Sequence, residues 1–130
     1  MLEQKNSRKQ GDVGLGAAIS AFTCSGWTVC VPLTDNQPYD LVIDRGDGPE
    51  RVQVKTTRCK TKYGIYQVSL RTKGGNRSGA GKVKFFSPEE VEWLFVLNND
   101  GEQYLIPAAK ISSKAAINLS GEFLKYKMGV

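Results

Sequence analysis

The chain has 130 residues, 40% of them hydrophobic, with a formal net charge of +5 and no histidine. That length fits one domain with an ordinary core, and no apolar run approaches the ~20 residues that span a bilayer. Without histidine, Ser-His-Asp and Cys-His catalysis, HNH-type chemistry and His-ligated zinc are excluded, and Cys24, Cys30 and Cys59, which have no CxxC spacing, read as free thiols.

Residues 1–9 read as a frayed polar arm without the apolar core of a signal peptide, so a cytoplasmic protein is expected, encoded by a bacterium, phage or mobile element. A helix is predicted from Gln10 to Ser25. Val13, Ala17, Ala18, Ala21 and Phe22 fall on one face at three- and four-residue steps. Gly11, Gly14 and Gly16 weaken it and suggest close packing on a sheet or approach by a nucleic-acid backbone. Gly26 is the expected stop. Trp27–Val31 reads as a strand and Pro32–Pro38 as a loop.

Asp40–Asp44 and Arg51–Thr57 read as a hairpin, joined through the turn residues Arg45-Gly46-Asp47-Gly48-Pro49. Gln53 and Lys55, two apart, share one strand face. Asp40 is expected to meet them at one end of the sheet, and Asp44 reads as a turn residue. Ile65–Arg71 is predicted as another strand, and the Gly- and Ser-rich stretch 72–84 as a mobile basic loop. Gly64-Ile65-Tyr66 matches half of a GIY-YIG signature, but no Tyr-Ile-Gly partner accompanies it, so it reads as chance. Ser87-Pro88-Glu89-Glu90 has the form of a short helix start. Trp93–Leu97 and Gln103–Ile106 read as strands about the turn Asn98-Asn99-Asp100-Gly101. A helical turn is expected at Pro107–Ile111, while Ile117–Leu119 and Phe123-Leu124 are ambiguous. The order of elements is that of a small α/β or α+β domain spanning 1–130.

The charge is segregated. Residues 1–50 carry four basic and seven acidic side chains, residues 51–84 ten basic and none acidic, and residues 85–130 four basic and six acidic. An acid-free stretch of this length is the electrostatic footprint expected for a polyanion. Within or beside it, Asp40 supplies a carboxylate, the Val54 main chain a carbonyl oxygen, Gln53 an amide and Lys55 an amine. Oxygen donors of this kind suit Mg²⁺, and a lysine beside them suits water activation or charge neutralisation in phosphodiester cleavage. Lys60, Lys62, Arg71, Lys73, Arg77, Lys82 and Lys84 are expected to bind phosphates. Arg71, Lys73, Asn76 and Arg77 are also placed to reach base edges.

The pattern Pro38-Tyr39-Asp40-Leu41-Val42-Ile43-Asp44 followed by Arg51-Val52-Gln53-Val54-Lys55-Thr56 resembles the PD-(D/E)XK nuclease superfamily. More narrowly it resembles the group I intron-associated homing endonuclease branch, in which Gln replaces the second acid. The similarity extends to Lys9-Gln10-Gly11-Asp12, Gly26-Trp27-Thr28-Val29, Glu89-Glu90-Val91-Glu92-Trp93 and Gly101–Pro107. The resemblance implies a restriction-endonuclease-like mixed β-sheet flanked by helices, Mg²⁺-dependent cleavage of double-stranded DNA, and a homodimer or homotetramer. It implies Asp40 as metal ligand, Gln53 as metal-site residue and Lys55 as catalytic lysine. Relatives carry a glutamate in the first helix. Here that position is Leu15, and Asp12, three residues earlier, is the substitute expected to complete the metal site. A junction-resolving or restriction-like nuclease, or a catalytically silent DNA-binding protein on the same fold, are the alternatives.

Overall fold

The computed structural model describes Leu2, residues 6–73 and residues 83–129, with Thr72, Lys73 and Val83 described by backbone alone. Helix α1 runs Ser7–Cys24. Its start lies three residues before the expected one because Asn6 caps it, the side chain accepting from the Arg8 amide at 2.8 Å. Residues 7–9 therefore belong to the helix. Leu2 does not fray either: it is fully buried, and its amide donates to Asn99 Oδ1 at 2.8 Å. Gly26, at φ +83°, turns the chain away after Ser25, whose amide closes on the Ala21 and Phe22 carbonyls.

The strands are β1 Thr28–Cys30, β2 Leu41–Asp44, β3 Pro49–Thr57, β4 Gln67–Ser69, β5 Thr72–Lys73, β6 Val83–Lys84, β7 Trp93–Asn98, β8 Gln103–Pro107 and β9 Ala116–Asn118. A five-stranded mixed sheet has the order β1-β2-β3-β7-β8, with β3 and β7 parallel and the other pairs antiparallel. The β2–β3 turn is closed by Asp44, whose Oδ1 accepts from the Gly46 and Gly48 amides. Asp44 is thus a turn residue, as expected.

Each face of the sheet has its own core. On one, α1 lays Ala18 and Phe22 against Leu41, Ile43, Val52, Phe95 and Leu97. On the other, Val68, Leu70, Phe86 and Ile117 cover Leu94, Val96 and Ile106. Strands β4 and β9 pair antiparallel within this second layer, and β5 pairs with β6 as a short ribbon. The mixed sheet is as expected. A helix flanks one face, whereas the other is covered by the β4–β9 ladder, and among the described residues there is no second α-helix.

One local expectation changes. Ser87–Glu90 forms a turn, with the Glu90 amide on the Ser87 carbonyl at 3.1 Å, not a helix. Phe86 and Val91 are both buried on either side of it and β7 begins at Trp93. Too few residues remain between these anchors to nucleate a helix. The helical turn expected at Pro107–Ile111 is present as a single 3₁₀ turn, Ala108–Lys110. The ambiguous C-terminal stretch resolves into β9 and a 3₁₀ helix at Gly121–Tyr126. No helix among the described residues is long and apolar enough to cross a membrane.

Candidate active site

The site arises from a mismatch in strand length. Strand β3 pairs with β2 only from Pro49 to Val52, and β2 begins at Leu41 opposite Val52. Beyond that point the β2 side of β3 lacks a ladder partner. A residue in a strand presents its N–H and C=O to the same edge, so both groups of Val54 face this open edge. The chain entering β2 fills half of it. The Asp40 amide donates to the Val52 carbonyl at 2.9 Å, and Asp40 Oδ2 accepts from the Val54 amide at 2.7 Å. Asp40 is therefore fixed by two contacts to β3, one through its backbone and one through its carboxyl.

Strand alternation then sorts the neighbours. Val52, Val54 and Thr56 point toward α1. Gly14 of that helix is buried on them: a Cβ there would stand 2.5 Å from Thr56 Cγ2 and 3.3 Å from Val54 Cγ1. Of the three glycines read as a close-packing signal, Gly14 is the one that needs the space, because Gly11 and Gly16 have nothing within 4 Å of such a Cβ. Gln10, one turn earlier, donates to Thr56 Oγ1 at 2.8 Å. Gln53 and Lys55 point to the opposite face. Val52 pairs with Leu41 and its carbonyl also accepts from the Asp40 amide, so Asp40 stands beside Val52, the residue before Gln53. Lys55 Nζ donates to the Arg71 carbonyl at 3.4 Å.

Electrostatics mark Asp40 and Lys55 as a pair. Burial pushes the Asp40 carboxyl above the usual carboxylate range, against the lowering effects of the Val54 amide and of Lys55. Burial likewise pulls the Lys55 amine below its usual value, partly offset by Asp40. Asp40 nonetheless keeps solvent-accessible area and Lys55 part of its own. Groups that are partly desolvated yet reachable by water suit a reacting centre.

Asp12 is not brought to this pair. It is exposed and lies two residues from Gly14, the contact point of α1 on β3. Two residues rotate a helix by about 200°, so Asp12 occupies the face of α1 turned away from the sheet. Leu15, the position at which the resemblance implies an acid, is half-buried against the core on the α1 face. Among the described residues no group of three or more His, Cys, Asp or Glu side chains converges. Magnesium does not require one, since it is commonly held by one or two carboxylates, with waters and substrate phosphate completing its shell. The Asp40 carboxylate and the Val54 carbonyl are hard oxygen donors on one open edge and fit such a site.

The basic residues divide. Arg71 adjoins the site through its carbonyl, and its guanidinium lies 5.6 Å from the centre of the Phe85 ring. Lys62 is exposed, 5.2 Å from the Tyr63 ring. Lys84 is ion-paired with Glu90 at 2.8 Å. Lys60 lies over the Tyr66 ring at 4.7 Å and lines a cleft of about 320 Å³ with Asp100, Glu102 and Lys127. That cleft includes none of Asp40, Gln53 or Lys55. Lys73 is described by backbone alone, and Asn76, Arg77 and Lys82 lie outside the described residues. Cys24, Cys30 and Cys59 are free and exposed, as the composition suggested.

Two contacts of the site had no signal in the sequence. The Arg71 carbonyl is a main-chain atom that any residue would supply, so Arg71 reads as a DNA contact and not as a partner of Lys55. Phe85 resembles any other aromatic residue near a strand.

The comparisons with known proteins agree with this fold. The chain is similar to a solved structure of a bacterial homing endonuclease, I-Ssp6803I, at 26% sequence identity and a TM-score of 0.78, covering 94% of this chain and 88% of that one. No curated protein sequence matches. A family model described as PD-(D/E)XK endonuclease matches residues 5–122. With nine-tenths of its length matched, the chain belongs to the PD-(D/E)XK endonuclease family.

Proposed function

We propose that the protein is a Mg²⁺-dependent endonuclease that cleaves double-stranded DNA, of the homing type, acting as a homodimer or homotetramer. The observation that carries this reading is the anchoring of Asp40 on the Val54 amide beside Lys55, in a chain whose residues 51–84 contain ten basic and no acidic side chains. The similarity to a homing endonuclease supports the biological type. Cutting both strands requires two such centres, which favours more than one copy.

In this reading Asp40 and the Val54 carbonyl hold the metal, and Gln53 adds a neutral oxygen to the metal site. A bound Mg²⁺ would neutralise charge on the scissile phosphate and acidify a water. Lys55 acts on the proton. Burial favours its neutral form, so a larger fraction of the amine is unprotonated, and free to take a proton from the attacking water, than in an exposed lysine. Arg71 and Lys62 contribute phosphate contacts. The helix glutamate of relatives has no counterpart, because Leu15 packs inward and Asp12 faces away. The same observation favours a second reading, a DNA-binding protein of this fold without cleavage.

Incubation with plasmid DNA in Mg²⁺, against an EDTA control, separates the two. Cleavage in Mg²⁺ alone is expected, and Asp40→Ala and Lys55→Ala should each slow it by at least about a hundredfold, the usual scale for a general base or charge stabiliser. Binding without cleavage would establish the second reading. Cleavage at parental rate by either variant would remove that residue from the site.

A further inference from the structure

The chain leaves the second core layer at Leu70 and re-enters it at Phe86. Both are buried, and both are pinned to one neighbouring segment: the Leu70 amide donates to the Ala115 carbonyl at 2.8 Å and the Phe86 amide to the Lys114 carbonyl at 3.2 Å. Between these pins the chain forms the β5–β6 ribbon. Its register pairs Thr72 with Lys84 and Lys73 with Val83. Continued one step toward the core, that register sets Arg71 opposite Phe85. These two form the base of the ribbon. The guanidinium lies over the ring, and the ring is 50% exposed although nothing in its chemistry favours water. A half-exposed Phe between a buried Phe and an ion-paired Lys has no role in the core.

The consequence lies on the other side of Arg71. Its carbonyl receives the Lys55 amine at 3.4 Å, the outer limit of a hydrogen bond. A bond at that limit is made or broken by a displacement of a few tenths of an ångström. The backbone of Arg71 is set by three things: the Leu70 anchor, the Ser69 hydroxyl that accepts its amide at 3.4 Å, and the stack on Phe85. Of these, the Phe85 stack is the contact made by the Arg71 side chain, and the Ser69 contact is exposed as well.

We propose that Phe85 is a positioning residue for the reaction: by stacking on Arg71 it fixes the Arg71 carbonyl, and so holds the Lys55 amine at the reacting centre. The ribbon base thereby links the surface that meets DNA to the amine that acts on it. This rests on the nuclease reading for Lys55, and the test keeps the two apart.

Phe85→Ala and Phe85→Tyr are compared with the parent in two measurements. The first is the rate of lysine acylation by acetic anhydride in the DNA-free protein, read at Lys55 by mass spectrometry. The second is single-turnover cleavage at saturating DNA, beside the DNA dissociation constant. Phe85→Ala should acylate at Lys55 several-fold faster, because the tether is lost. It should cleave about tenfold more slowly at saturation, within the range for a misplaced reacting group, with affinity changed less than threefold. Phe85→Tyr, which keeps the stack, should match the parent in both. Unchanged Lys55 acylation in Phe85→Ala overturns the proposal. So does a parental rate at saturation with weakened affinity, which would make Phe85 a DNA contact only. If the parent itself does not cut but Lys55 acylation responds as expected, the nuclease reading fails and the positioning contact stands.

Discussion

Asp40 carries opposed demands. Its Oδ2 completes the open edge of β3, yet burial raises the carboxyl above its ordinary range. A folded-state pKa above the unfolded one means that folding is favoured while the group is protonated. That contribution is complete below the unfolded carboxylate pKa of about 4 and is lost as pH rises through the raised folded value. At neutral pH the charge therefore costs stability. Asparagine keeps an oxygen for the Val54 amide and has no charge. Asp40→Asn is thus expected to melt at a higher temperature than the parent at pH 7, with the difference shrinking toward pH 4, while cleavage is lost. Melting curves at the two pH values check this, and a lower midpoint for the variant at pH 7 would mean that the pairing with Lys55 outweighs burial.

Between elements, the decisive contact is α1 on β3. Gly14 lets the helix approach so closely that a methyl there would meet Thr56 Cγ2 at 2.5 Å. Gly14→Ala gains helix propensity of up to about 1 kcal/mol, but it forces helix and strand apart in a packed layer, at about 1–3 kcal/mol. Net destabilisation is expected in denaturant unfolding. Thr56→Ser removes the obstructing methyl and leaves the hydroxyl that Gln10 uses, so adding it to Gly14→Ala should restore most of the loss. No recovery would locate the strain elsewhere. The strand itself was readable: the alternation in Arg51–Thr57 placed Gln53 and Lys55 on one face, and the Asp44 turn followed from its glycines. The helix start at Ser7 was missed because the capping Asn6 lay in a stretch read as a polar arm. The helix expected at Ser87–Glu90 failed for a different reason, since the local signature was sound but tertiary anchors at Phe86 and Val91 left no room.

For the whole molecule, charge is the organising quantity. The acid-free stretch 51–84 predicted a polyanion partner, but the folded chain uses its cations unequally. Lys84 is committed to Glu90, and Lys60 shares a cleft with Asp100 and Glu102, whereas Lys62 and Arg71 stand exposed beside aromatic rings. Replacing Lys62 and Arg71 with glutamine should therefore flatten the dependence of log K for DNA on log salt by about 0.9 per phosphate contact, near 2 for the pair. The Lys60→Gln variant should move it much less. Equal slopes for the two variants would mean that the acids of the cleft do not compensate Lys60.

Sequence by itself determined what is local or compositional: the absent histidine and the chemistries it removes, the segregated charge, the period-two strand carrying Gln53 and Lys55, and the ordered motif that marks the family. Only the tertiary structure decided what depends on distant segments meeting. It began β2 one residue after Asp40, which opened the edge where Val54 receives the carboxyl. It turned Asp12 away from the sheet and Leu15 into the core. It brought the Arg71 carbonyl, sixteen residues along the chain, to the Lys55 amine. Strand lengths, helix rotation and main-chain contacts follow from packing, and packing is a property of the assembled chain.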